Sequence, residues 1–148
     1  MTTYISAALR QLVATRAEHL CEYCLIHEDD AYFGCEVDHI ISEKHGGQTE
    51  ADNLAYACVF CNRSKGSDVG SVIRASGVFV RFFNPRTDLW AEHFILDGVS
   101  FVALSDVGEV SIRILGLNNS ERIFERQILQ IGGRFPSAAA TARMARRA

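Results

Sequence analysis

Two Cys-x-x-Cys pairs, Cys21/Cys24 and Cys58/Cys61, constrain what this chain can fold into more than any other feature. Two residues between cysteines let both thiolates reach one ion from a single tight turn. Two such pairs supply four sulfurs, which complete a tetrahedral zinc shell and leave no open position, so the implied ion is structural. The pairs are separated by residues 25–57, a longer insert than the roughly 15–20 residues of compact zinc ribbons. Any further chemistry has to be read inside and beside that insert.

The fifth cysteine, Cys35, is left over and reads as a small buried hydrophobe. No apolar run in the 148 residues approaches the roughly 18 that a membrane helix needs, and the opening MTTYISAALRQL lacks the charged-then-apolar pattern of a signal peptide. Reduced thiols, a cytoplasmic location and no membrane partner are therefore expected. The formal charge is −3, and it is unevenly spread: residues 1–66 carry five basic against ten acidic side chains, while residues 67–148 carry ten arginines against eight acidic residues. Phosphate binding is driven largely by Lys and Arg releasing counterions, so this balance is evidence against a protein that coats nucleic acid nonspecifically. Any DNA affinity should be weak and salt-dependent.

Along the chain, Ile5, Ala8, Leu9, Leu12, Val13, Ala17 and Leu20 fall at helical spacing and predict one amphipathic helix over 5–20 that delivers Cys21. Residues 35–41, with Val37, Ile40 and Ile41, read as a strand. Gly46-Gly47 marks a turn in the loop 42–52, and residues 53–57 return as a second strand. Residues 59–65 have helical character, with Gly66 as the C-terminal cap. Beyond this ββα order, strands are expected at 78–83, 94–96, 99–104 and 110–115. A last helix begins near Asn118, with Glu121 in a capping box and Ile123, Phe124, Ile128 and Ile131 facing inward. The Ala- and Arg-rich tail 136–148 is expected to be mobile or weakly helical.

The stretch Cys21 to Gly66 resembles the HNH endonuclease family, whose ββα-metal site is often supported by a four-cysteine zinc. The residues that carry the resemblance are Cys21, Cys24, Asp38-His39-Ile40, Gly46-Gly47, Asn53-Leu54, Cys58, Cys61-Asn62 and Lys65-Gly66. Asn53 and Asn62 lie 14 and 23 residues after His39, spacings the family shares. The resemblance covers about a third of the chain and implies an α+β fold: a treble-clef-like HNH ββα-metal module extended by a small antiparallel β structure and a helix. It divides the chain into an N-terminal helix (1–20), the module (21–70), a β-rich extension ending in a helix (71–135) and the tail (136–148).

The same resemblance implies roles. Asp38 and Asn62 would hold a catalytic Mg²⁺ or another divalent cation, a hard ion that prefers oxygen ligands. His39 would be the general base that takes a proton from water, since a neutral imidazole is available near cellular pH. Asn53 would brace the loop and orient the base. His45, Arg63 and Lys65 are candidate phosphate contacts, and DNA is the expected partner, with a homodimer the simplest route to double-strand cutting. Zn²⁺ would be structural. The alternative is a non-catalytic zinc-dependent module that binds nucleic acid or protein, a reading favoured by the net acidity. Residues 83–90, FNPRTDLW, with His93-Phe94, resemble a tail that accompanies some bacterial HNH proteins. They are expected to be a structural extension, or with Arg74, Arg81 and Arg86 a docking surface.

Overall fold

The computed structural model describes residues 3–148. It is an α+β structure whose strands form separate two-stranded antiparallel pairs. The first helix, α1 (Ala7–Arg16), starts where the Ser6 hydroxyl accepts the Leu9 amide at 3.2 Å. It ends earlier than the hydrophobic spacing suggests. Glu18 and His19 adopt φ of +55° and +60°, turning the chain so that Leu20 enters the core from a loop. Only Val13 is buried within α1, and Leu12 points to solvent.

Strands β1 (Cys35–His39) and β2 (Leu54–Cys58) pair from Cys35↔Cys58 to His39↔Leu54. All five residues of β2 are buried, because Val13 of α1 and Ala17 just after it cover one side while Ala55 and Ala57 join the main core on the other. Helix α2 (Val59–Lys65) follows at once, capped by Cys58 Sγ, which accepts the Cys61 amide, and closed by Gly66 at φ +53°. This strand–strand–helix order matches the sequence reading.

The extension differs from its expectation in two places. Hairpins β3 (Gly70–Val72)/β4 (Phe79–Arg81) and β5 (Phe94–Asp97)/β6 (Ser100–Ala103) form, with the short helix α3 (Trp90–His93) before the second. Residues 110–115, expected as a strand, belong instead to helix α4 (Asp106–Leu115). The Ser105 hydroxyl caps it by accepting the Gly108 amide at 3.0 Å, and Gly116 ends it at φ +65°. Val110, Ser111 and Leu115 are buried and Ile112 and Ile114 half-buried, so the helix is covered on most sides and its alternation of apolar residues carries no strand meaning.

The second correction is helix α5 (Ser120–Ile131), whose amphipathicity is inverted. Phe124, Ile128 and Ile131, expected inward, are exposed, Ile131 at 88%. Arg122 and Arg126 are the buried pair, Arg126 at 0%. Arg126 donates to the Val99 and Leu117 carbonyls at 2.7 and 2.6 Å and lies over the Phe101 ring. No capping box forms: Asn119 takes the cap position without a side-chain bond, and Asn118 instead exchanges hydrogen bonds with the Phe101 backbone. The tail, expected to be mobile or weakly helical, forms helix α6 (Ala138–Ala145), with Ala140 fully buried.

One carboxylate ties these parts to the first cysteine turn. Glu22, buried between Cys21 and Cys24, accepts the Tyr56 amide at 2.9 Å and pairs with Arg86 and, at 3.3 Å, with Arg143 of α6. An Asx turn aims Arg86: Asn84 Oδ1 accepts the Arg86 amide, and Asp88 accepts the Asn84 amide. The FNPR segment is thus a structural staple, and Arg86 does not belong to a docking surface. Phe83, Trp90, Phe94 and Phe101 pack behind it with ring centroids 5.4 to 5.8 Å apart. Removing one partner of a buried ion pair costs about 3–5 kcal/mol. Glu22→Ala should lower unfolding free energy in urea by that order, whereas the same change at exposed Glu50 should shift it by under about 0.5 kcal/mol.

Candidate active site and metal centre

The four Sγ atoms of Cys21, Cys24, Cys58 and Cys61 lie within 4.8 Å of one another, all from buried residues. Cys24 and Cys58 sulfurs are 3.8 Å apart. Four sulfurs at about 2.3 Å from a tetrahedral zinc stand about 3.8 Å from each other, so the cluster fits that ion. The two turns repeat one local geometry: Cys24 N donates to Cys21 Sγ and Cys61 N to Cys58 Sγ, each at 3.4 Å. Burial pushes the Cys21 thiol well up, so ionising the set needs nearby positive charge.

Part of that charge comes from Arg122 on α5, which the sequence reading missed. Its guanidinium donates to Cys24 Sγ at 3.2 Å, to Cys58 Sγ at 3.6 Å and to Cys61 Sγ at 3.7 Å, and it lies over the Phe60 ring. Burial would lower its pKa, but the thiolates of Cys24, Cys61 and Cys58 outweigh this and hold it above the ordinary arginine value. The signal available in the sequence was Arg122 and Arg126 at i, i+4 opposite Phe124 and Ile128. That pattern reads as an ordinary wet face until the buried partners are known.

Strand β1 runs from this cluster to Asp38 and His39, which point to opposite faces as strand neighbours must. Asp38 faces α2. Its Oδ2 lies 3.0 Å from Lys65 Nζ, although the geometry is not that of an aligned hydrogen bond. Burial pushes the Asp38 carboxyl up, and Lys65 only partly opposes the shift. Lys65 is 1% exposed and also donates to the His39 carbonyl at 2.8 Å. The expectation that Lys65 contacts phosphate therefore gives way to an internal role: its ammonium locks the helix to the Asp38-His39 strand. Asn62, half-buried, stands three residues earlier on α2, hence on the same helix face as Lys65. Arg63 is exposed on the helix, and His45 is exposed on the 42–52 loop.

His39 faces that loop. Its Nε2 lies 2.9 Å from Thr49 Oγ1 and 3.6 Å from Glu43 Oε1, while the Thr49 hydroxyl reaches Glu43 at 3.4 Å. Asn53 fixes the loop that carries these partners. Its Oδ1 accepts the Ile41 amide, and its Nδ2 donates to the Ile41 and Gln48 carbonyls, all at 2.9 Å. Gly47 makes that closure sterically available: a Cβ there would stand 1.7 Å from the Ile41 carbonyl oxygen and 2.8 Å from Asn53 Nδ2. The donor chemistry at Asp38 and Asn62, one carboxylate and one amide oxygen, fits a hard divalent ion that keeps waters and takes substrate oxygens.

Residues 21–68 match the family model described as HNH endonuclease. No curated protein and no solved structure matches the chain. Zinc binding by four thiolates is coupled to folding, so stripping the ion with a strong chelator should collapse the melting transition. Partners of metal ligands typically carry 10- to 100-fold of metal affinity. Arg122→Leu should therefore weaken zinc retention by about tenfold or more in competition with a chromogenic chelator; affinity equal to wild type would show that the guanidinium does not act on the sulfurs.

Proposed function

We infer that this chain, which carries an HNH endonuclease module at residues 21–68, is a metal-dependent hydrolase of DNA phosphodiester bonds. The observation that carries the reading is the placement of Asp38 and His39 on opposite faces of one strand, each held by its own braced partner. Asp38 and Asn62 would hold a divalent ion, which when bound offsets charge on the scissile phosphate and on the leaving 3′ oxygen.

His39 takes the proton from the attacking water, and its tautomer follows from its neighbours. Thr49 has one hydroxyl proton, directed to Glu43, so its oxygen accepts from His39 Nε2–H. Nδ1 is then the free lone pair and the basic atom. Glu43, close to Nε2, stabilises the imidazolium that forms. Asn53 keeps Thr49 and Glu43 in place by closing the loop, and Lys65 keeps the strand fixed to α2. Both are positioning residues. One such site cuts one strand, so cutting both strands would use a second copy of the chain.

One observation favours the alternative, a zinc module that binds without cutting: Lys65 already sits beside Asp38 and offsets charge that a metal would use. Supercoiled plasmid incubated with Mg²⁺ or Mn²⁺ separates the two. General-base catalysis contributes about 10²–10⁴-fold, so His39→Ala, with zinc content and melting temperature unchanged, should nick at least about 100-fold more slowly. Equal nicking by both proteins, or none by wild type with either ion, would overturn the assignment.

A further inference from the structure

A cleft of about 360 Å³ opens beside the Asp38-His39 strand, between the 42–52 loop and hairpin β3/β4. Its lining includes Ile40 and Ile41, which directly follow His39, and Lys65, whose ammonium touches Asp38. The cleft is thus continuous with the reactive end of the module. Three features define what it suits.

The first is a ring. Phe79 is 58% exposed although it sits on a strand of a folded hairpin. It is held there by Gly70 on the paired strand: a Cβ on Gly70 would stand 2.7 Å from the ring's Cζ, so the phenyl lies across the glycine. An aromatic ring fixed at a cleft mouth, with exposed Ile41 contributed by the opposite element, is a stacking platform. The second feature is charge. Among the described residues, the titratable groups lining the cleft are His45, Lys65 and Arg81, with Lys65 paired to Asp38 and Arg81 to Asp88. Arg81 stands two residues from Phe79 on the same face of β4, and its guanidinium is oriented by a two-pronged pair with Asp88 at 2.7 and 3.0 Å. The cleft under α5 differs: Asp30, Glu121 and Glu125 line it together with Arg122. The third feature is size: 360 Å³ is near the small end of ligand sites, roughly 300–1,000 Å³. It suits one planar base with its sugar and cannot admit a duplex.

We propose that this cleft takes a nucleobase of the DNA strand next to the scissile phosphate, stacked on Phe79, with His45 and Arg81 against the adjoining phosphates. A base must leave the duplex stack to enter such a pocket, so the preferred substrate has unpaired nucleotides at the cut. The proposal rests on the nuclease reading above and adds its substrate class. It also gives His45 a role shared with the hairpin, and it explains how an acidic chain can grip DNA with few cations, because stacking on a ring needs no net charge.

The test uses full-length, zinc-loaded protein without added Mg²⁺ or Mn²⁺, so that binding is read apart from cleavage. Single-stranded oligonucleotides carrying 2-aminopurine at successive positions, and matched duplexes, are followed by fluorescence quenching and anisotropy. The single strand should bind more tightly than the duplex, with quenching confined to one position. Alanine in place of a stacking aromatic costs roughly tenfold in affinity, so Phe79→Ala should weaken the single strand by that factor and abolish the quench. Phe79→Trp should restore both, and Phe79→Leu, which keeps apolar bulk without a ring, should behave as Phe79→Ala. Tighter duplex binding, or unchanged affinity and quench in Phe79→Ala, would overturn the subsite while leaving the nuclease reading intact. Failure of wild type to bind or nick DNA of either form would remove both.

Discussion

Four thiolates gathered inside a protein repel one another, and the fold is arranged around meeting that constraint. A zinc ion among the four sulfurs would supply most of the needed charge, and Arg122 supplies more through its bonds to Cys24, Cys58 and Cys61. This explains why α5 turns Arg122 inward, while Arg126 is drawn inward by the Val99 and Leu117 carbonyls. A guanidinium bonded to three of the four sulfurs is electrostatically favourable, whereas an apolar residue at position 122 would leave those thiolates without it. The extension is therefore not an independent appendage: α5 closes the zinc site, and Arg86 and Arg143 meet Glu22 between the first two cysteines.

From this frame the reactive end follows by short steps. The β1–β2 register places Cys35 opposite Cys58 at one end and His39 opposite Leu54 at the other. The zinc thus anchors the strands at the end remote from the chemistry. At the reactive end two other devices take over, Lys65 from α2 and Asn53 from the loop, each bonded to backbone of residues 39–41. In the proposed reaction such positioning would matter, because a base and a metal ligand acting on one phosphate have to be held to fractions of an ångström.

The module was legible in the sequence because its signals are local. Paired cysteines, a Gly-Gly turn, Gly66 after a helical run and asparagines at fixed spacings each report a nearby geometry. The extension was less legible because its organising contacts are remote. Arg122 lies 98 residues from Cys24, its shortest sulfur contact, and Arg143 lies 121 residues from Glu22. Without those partners, an inward arginine face looks like a solvated one, and residues 110–115, covered on most sides as a helix, read as a strand. Lys65 reads as a phosphate contact for the same reason, since its carboxylate partner, Asp38, belongs to another element. Residue type and period could not report these pairings; only the assembled charges do.

The central claim is a division of labour between two metals, one holding the frame with sulfur and one acting through oxygen beside His39. Anomalous diffraction from crystals soaked in Mn²⁺ and collected at the zinc and manganese edges tests it most directly. The account predicts a zinc peak enclosed by Cys21, Cys24, Cys58 and Cys61 and a separate manganese peak between Asp38 and Asn62. A zinc peak at Asp38, no metal among the four sulfurs, or manganese bound away from Asp38 and Asn62 would contradict it.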